Sequence, residues 1–207
     1  VSGTHIGSKN GFNISTTDSS MIFNDPQINT VVISTRHGSH AHFVCEALRK
    51  GKNVFVEKPL CLNFEELAQI EQAYHEAGKI KPVLLMVGFN RRFSPLTQTC
   101  RQQLNESNAP CSIIATINAG KIPADHRAQD FASGGGRLIG EGCHFIDLIR
   151  FLTDSPIVSV QTTSMPNPQT QDLSPDTLSL TLACRDGSIG TVHYFANGCK
   201  DFPKERI

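Results

Sequence analysis

Along its first ninety residues the chain alternates short apolar runs with stretches whose apolar residues recur every three or four positions. "TVVIST" (30–35) is β-branched and follows the turn-like "NDPQIN", so it reads as a strand. From Ser39 to Lys50, Phe43, Val44, Ala47 and Leu48 fall at helical spacing, and Gly51 is placed to cap that helix. A second strand, "NVFVEKP" (53–59), leads to a second helix from about Phe64 to Ala77. Asn63 and Glu66 give that helix an N-x-x-E start similar to a capping box, and Gly78 is expected to end it. "PVLLMVG" (82–88) is a third, almost wholly apolar run. Strands that are apolar throughout suit a sheet covered on both faces, and connections of this length suit βαβ crossovers. The first part therefore predicts a parallel α/β sheet.

After "FNRRFSP" the pattern changes. A helix from about Pro95 to Leu104 precedes the strand-like "CSIIATINAG" (111–120) and a polar, glycine-rich stretch. A further helix is expected over roughly Glu141–Leu152. Two late strands, "TLSLTLACR" and "SIGTVHYFA", flank Asp186-Gly187, a hairpin signal. This half reads as α+β with an open, mainly antiparallel sheet. The expected organisation is a partial doubly wound (Rossmann) domain over 1–92 and an α+β domain over 93–207. The first part lacks a strand followed by G-x-G-x-x-G, because Gly3, Gly7 and Gly11 lie on a polar segment. The chain is therefore expected to be part of a longer polypeptide, cut at both ends.

Composition narrows the function. Nineteen basic and nineteen acidic residues balance, Trp is absent, and no apolar run approaches a membrane span. Neither nucleic acid nor a membrane is expected as a partner. The seven scattered cysteines form no C-x-x-C pair, which argues against a disulfide framework or zinc ribbon and for a reducing, cytoplasmic setting. "HGSHAH" (37–42) looks like a metal cluster, but His40 and His42 diverge by about 200° on a helix, so no metal is expected.

In an open parallel sheet, ligands bind beyond the carboxyl ends of the strands. The three strands end in "STRHGSH", "EKP" and "GFNRR". Each switches from apolar to polar at the same edge, gathering Thr35, His37, Glu57, Lys58, Asn90, Arg91 and Arg92 on one rim. That convergence points to a site.

These segments, with "GGGRLIGEGCHFID" downstream, resemble the Gfo/Idh/MocA family of NAD(P)-dependent oxidoreductases over nearly the whole chain. The wording of "TRHGSHA" and "GEGCHFID" is similar to bidomain members, in which the module follows a zinc-alcohol-dehydrogenase-like domain. The resemblance implies a Rossmann domain followed by a substrate domain whose sheet often mediates homo-oligomerisation. It implies NAD or NADP as cofactor and a sugar, nucleotide sugar or cyclic polyol as substrate. Lys58 would lie beside nicotinamide and substrate, held by Glu57, with its bond to Pro59 often cis. His144 would act as acid or base on the substrate hydroxyl, a role suited to an imidazole near neutral pH. Cofactor contacts are expected from Ser34, Thr35, Arg36, His37, His40, Glu57, Lys58, Pro59, Asn90 and Arg91. Substrate contacts are expected from Arg92, Asp125, His126 and His144.

One position departs from the family. An aspartate commonly stands four residues before the helix histidine, and here that position is Gly140. Either Glu141 takes over its role, or the base works with Asp147 alone, which shares a helix face with His144. Lys58, His144, Asp147 and Glu141 form the expected catalytic set. The rival reading is a non-catalytic dinucleotide-binding or assembly module of a larger protein.

Overall fold

Three strands pair side by side in chain order: β1 (Thr30–Ile33), β2 (Asn53–Val56) and β3 (Leu85–Val87), all parallel. The register sets Val31 against Val54 and Val56 against Val87. This is a computed structural model, describing residues 3–107, 109–123, 126, 134–165, 176–199 and 201–207. The chain divides into one unit of Val1–Thr35 with Ser39–Val87 and another of Arg36–Gly38 with Gly88–Ile207.

In the first unit, two short helices, α1 (Gly3–Lys9) and α2 (Ser20–Asn24), precede β1. The crossovers are α3 (His40–Arg49) and α4 (Phe64–Ile80). Two right-handed crossovers stepping in the same direction put both helices on one face of the sheet. Val31, Ile33, Val54 and Val56 are buried there with Val44, Leu48, Ile70 and Ala73. Each valine, leucine or isoleucine among them contributes about 2 kcal/mol of burial. The opposite face differs from the sequence expectation of two covered faces. Val32 is 67% exposed and Met86 46%, because neither crossover passes over that side.

Local signals behave as their chemistry dictates. Gly51 takes a left-handed φ of 66°, its N–H donates to the Leu48 carbonyl, and Lys52 N–H donates to Ala47, closing a Schellman cap. The Asn63 side chain accepts from Glu66 N–H, while the Glu66 carboxylate accepts from Leu62 N–H. Gly78 does not end α4. It keeps helical backbone, and the helix runs on to Ile80.

The second unit carries α5 (Pro95–Ser107), β4 (Ser112–Asn118), a π-helical turn (Leu138–Gly142) that leads into α6 (Cys143–Thr153), and then β5 (Ile157–Ser164), β6 (Thr177–Cys184), β7 (Ile189–Phe195) and β8 (Glu205–Arg206). The sheet order is β5-β6-β7-β4-β8, antiparallel except where β4 runs parallel to β7. Phe145, Leu148, Ile149 and Leu152 of α6 pack on one face of it, against Ile117, Leu180, Leu182 and Val192. Gly190 permits this approach: a Cβ there would sit 2.5 Å from an Ile149 methyl. Gly187, at φ 92°, turns the expected β6–β7 hairpin.

Candidate active site

At the carboxyl edge of the first unit's sheet, Ser34, Thr35 and Glu57 are exposed and Lys58 is half-buried. The Thr35 and Ser39 hydroxyls are 2.7 Å apart. Glu57 N–H donates to the Ile33 carbonyl, and the Lys58–Pro59 bond is cis. Exposed hydroxyls and a carboxylate beyond parallel strands suit the ribose and phosphate oxygens of a dinucleotide. Arg36 and Asn90 are exposed as well. His40 differs from its expected role: it is 0% exposed, so its ring cannot touch a ligand. Its Nδ1 lies 2.7 Å from the Pro59 carbonyl oxygen and its Nε2 lies 3.1 Å from that of Thr35.

In the second unit the segment after β3 grips α6. Phe89 meets the His144 ring edge-on, with centroids 6.2 Å apart. Arg91 lies 4.6 Å over the Phe145 ring and donates to both oxygens of Glu205, one of these bonds being 2.8 Å. Arg92 donates from Nε to Asp147 Oδ2 at 2.7 Å and from Nη2 to Oδ1. Its guanidinium also faces the Phe151 ring, over which Arg101 sits at 4.2 Å. These bonds hold the Glu205 carboxyl below the ordinary glutamate value and raise the Arg92 guanidinium.

Three sequence expectations change here. Arg91 and Arg92, expected at cofactor and substrate, are instead each paired with a carboxylate of their own unit. Asp147 was expected to orient His144, and both its oxygens accept from Arg92. Two arginines after a strand read as an anion site only while their acidic partners, distant in the chain, are unseen. Asp147→Ala is expected to lower the unfolding free energy by about 2 kcal/mol. That is less than a fully buried pair costs, since the Arg92 side chain is 36% exposed and rehydrates. Urea melts measure it; an unchanged midpoint with slowed turnover would return Asp147 to His144.

Glu141, on the π turn, is paired within the second unit as well. The buried Tyr194 hydroxyl donates to Glu141 Oε2, and Arg137 and Lys204 stand 3.7 and 3.4 Å from its oxygens. Burial pushes the Glu141 carboxyl up, but the Tyr194 hydrogen bond and the two cations outweigh it and hold the group low. Burial and then the Glu141 bond raise the Tyr194 hydroxyl. Arg137, itself buried, donates to the carbonyls of Gly120 and Ala119. A tyrosine at an inward position of an alternating strand was the available signal, since a buried hydroxyl needs a partner.

Gly140 faces the His37 ring. A Cβ built there lies 3.7 Å from His37 Cε1, and His37 Nδ1 is 3.2 Å from the Gly134 oxygen. A β-carbon at position 140 would thus make ordinary contact with the imidazole and with the Gly134 oxygen, 3.4 Å away. His126 is exposed, its N–H donating to the Pro123 carbonyl; Asp125 lies outside the described residues. Two surface hollows of the second unit, about 530 and 520 Å³, lie along α5 and beside the β6–β7 turn. Neither is lined by a sequence-predicted site residue. Among the described residues, no cluster of His, Cys, Asp and Glu could hold a metal ion, and no helix is long and apolar enough to cross a membrane.

Residues 4–89 match the family model described as "Oxidoreductase family, NAD-binding Rossmann fold", and residues 111–202 match the "GFO/IDH/MocA C-terminal domain". Scyllo-inositol 2-dehydrogenase (NAD(+)) of Bacillus subtilis is 31% identical over 142 residues, which is 67% of this chain and 39% of that protein. Levoglucosan dehydrogenase of Pseudarthrobacter phenanthrenivorans is 28% identical, over 91% of this chain and 52% of that one. The chain thus spans about half or less of the length of these curated relatives. A solved levoglucosan dehydrogenase, in complex with NADH and levoglucosan, superposes with a TM-score of 0.80 at 24% identity, covering 96% of this chain and 56% of that one. That likeness speaks for the fold.

Proposed function

The chain belongs to the Gfo/Idh/MocA family of oxidoreductases, and on that premise we propose that the full-length protein moves hydride between NAD(H) and a hydroxyl-bearing carbon of a cyclic polyol or sugar. The observation that carries the reading is the pairing of both family domains, at 4–89 and 111–202, with an E-K-P strand end and a histidine at the start of α6. Relatives named for inositol, levoglucosan and anhydrofructose chemistry support the substrate class. They favour catalysis over a non-catalytic dinucleotide-binding module. The NAD(+) in one relative's name and the NAD-binding description of the first family model favour NAD(H) over NADP(H).

When bound, the nicotinamide supplies the hydride acceptor. His144 takes the hydroxyl proton as the carbon–hydrogen bond breaks, so alcohol becomes carbonyl and imidazole becomes imidazolium; reduction runs the reverse. The Lys58 ammonium donates to the same oxygen and stabilises negative charge that builds there. Ser34, Thr35, Arg36, Glu57 and Asn90 serve the cofactor, with residues 1–92 as its domain and 93–207 as the substrate domain. The open face of the five-stranded sheet, where Ile114 and Ile189 are exposed, serves contact between copies.

The test is reduction of NAD⁺ by the full-length protein with scyllo-inositol, myo-inositol and levoglucosan, followed by nicotinamide fluorescence. Turnover with at least one is expected. Absence of both turnover and NADH binding would remove the proposal.

A further inference from the structure

We propose that His40 is a positioning residue for Lys58, tying the E-K-P loop to the helix that follows β1. The inference rests on the proposed role of Lys58. Its geometry, however, stands on contacts within the first unit alone.

His40 opens α3 and is wholly buried. A buried imidazole costs desolvation that a leucine of similar size would avoid, so its hydrogen bonds must return something. Each ring nitrogen lies within hydrogen-bond distance of a backbone carbonyl. Nδ1 is 2.7 Å from the Pro59 oxygen, and Nε2 is 3.1 Å from the Thr35 oxygen. Thr35 lies two residues beyond β1 and Pro59 three beyond β2, so the ring stands between two strand-end loops of one sheet edge, and its single N–H ties the second of them to the helix that follows the first.

Pro59 immediately follows Lys58. The pyrrolidine ring fixes the proline φ, so little rotational freedom separates the Lys58 Cα from the carbonyl that His40 holds. Restraining that carbonyl therefore restrains where the lysine side chain departs from the backbone. The loop needs such a tie, since a side chain displaced by about 1 Å can lose two orders of magnitude in rate. A neutral imidazole donates from one nitrogen only, and the shorter contact assigns that donor to Nδ1 and Pro59.

Amide side chains separate the two contacts. Asparagine carries its N–H₂ near the place of Nδ1, glutamine nearer that of Nε2. In the full-length protein, H40N is expected to keep kcat within about threefold of wild type, whereas H40Q and H40L lose about tenfold or more. Combined with K58A, H40L should add nothing further, because its effect passes through the lysine. A readout independent of turnover is the acylation of Lys58 in cofactor-free protein, followed by mass spectrometry with exposed Lys79 as internal reference. The Lys58 rate is expected to shift at least about threefold in H40L and H40Q and to stay at the wild-type value in H40N. Equal Lys58 rates in all four proteins would overturn the inference, as would full additivity of H40L and K58A. If H40L does not fold, H40N against H40Q decides. Should K58A itself turn over normally, the catalytic reading fails, and the acylation comparison still judges the tie.

Discussion

Lys58→Ala is expected to lower kcat of the full-length protein by about a hundredfold or more. The expectation follows from where the chain puts a cation. Lys58 stands two residues beyond a strand whose inward residues Val54 and Val56 are buried, and it is half-buried itself. Water therefore screens its charge less than it would a surface lysine. An ammonium placed on a developing alkoxide acts mainly in the transition state, so the loss falls on kcat and kcat/KM together rather than on KM alone. Lys58→Arg is expected to restore little, since a planar guanidinium cannot reproduce a compact point charge. Steady-state rates on the best polyol measure this. A K58A enzyme within threefold of wild type would show that the lysine only completes the turn.

His144→Ala is expected to have the second large effect, about a hundredfold to ten-thousandfold on kcat at neutral pH. The histidine sits in the first turn of α6, and that helix is fixed by a set of contacts from the segment after β3. Phe89 meets its ring, Arg91 covers Phe145 and Arg92 holds Asp147. If His144 is the base, a ring held this way is expected to meet the reacting hydroxyl with little reorganisation. The π turn ahead of it, pinned through Glu141 and Tyr194, contributes to the same rigidity. Irregular helical turns of this kind are often found at functional positions. Small exogenous imidazole is expected to restore part of the H144A rate by filling the vacated space. Loss of activity with a lowered melting midpoint and no imidazole rescue would make His144 a packing residue instead.

The parts of this fold legible in the sequence are those governed by neighbours in the chain. The β-branched run at Thr30–Ile33, the Gly51 cap and the Asn63–Glu66 start each depend on residues within a few positions. The polar strand ends were readable for the same reason. What escaped depends on distance in sequence. Arg91 finds Glu205 114 positions away and Arg92 finds Asp147 55 away, so two apparent ligand-binding arginines are a clamp on α6. Glu141 likewise pairs with Tyr194, 53 positions away, on a π turn that a count of 100° per residue does not foresee. β5 is absent from the sequence expectation because its apolar alternation is confined to Val158 and Val160, both exposed, and the rest of the strand is polar. The uncovered face at Val32 and Met86 escaped because apolar residues on both sides of a strand do not reveal which crossover covers which side.

The most direct trial of hydride transfer assisted by Lys58 and His144 follows the hydrogen itself. The full-length protein is given NAD⁺ and a cyclic polyol carrying deuterium at the reacting carbinol carbon, and the reduced cofactor is analysed by mass spectrometry. Deuterium is expected in the NADH formed by the wild type, with the K58A and H144A proteins forming it at about a hundredth of that rate or less. Unlabelled NADH from the wild type, or labelled NADH at undiminished rate from either variant, would contradict the mechanism.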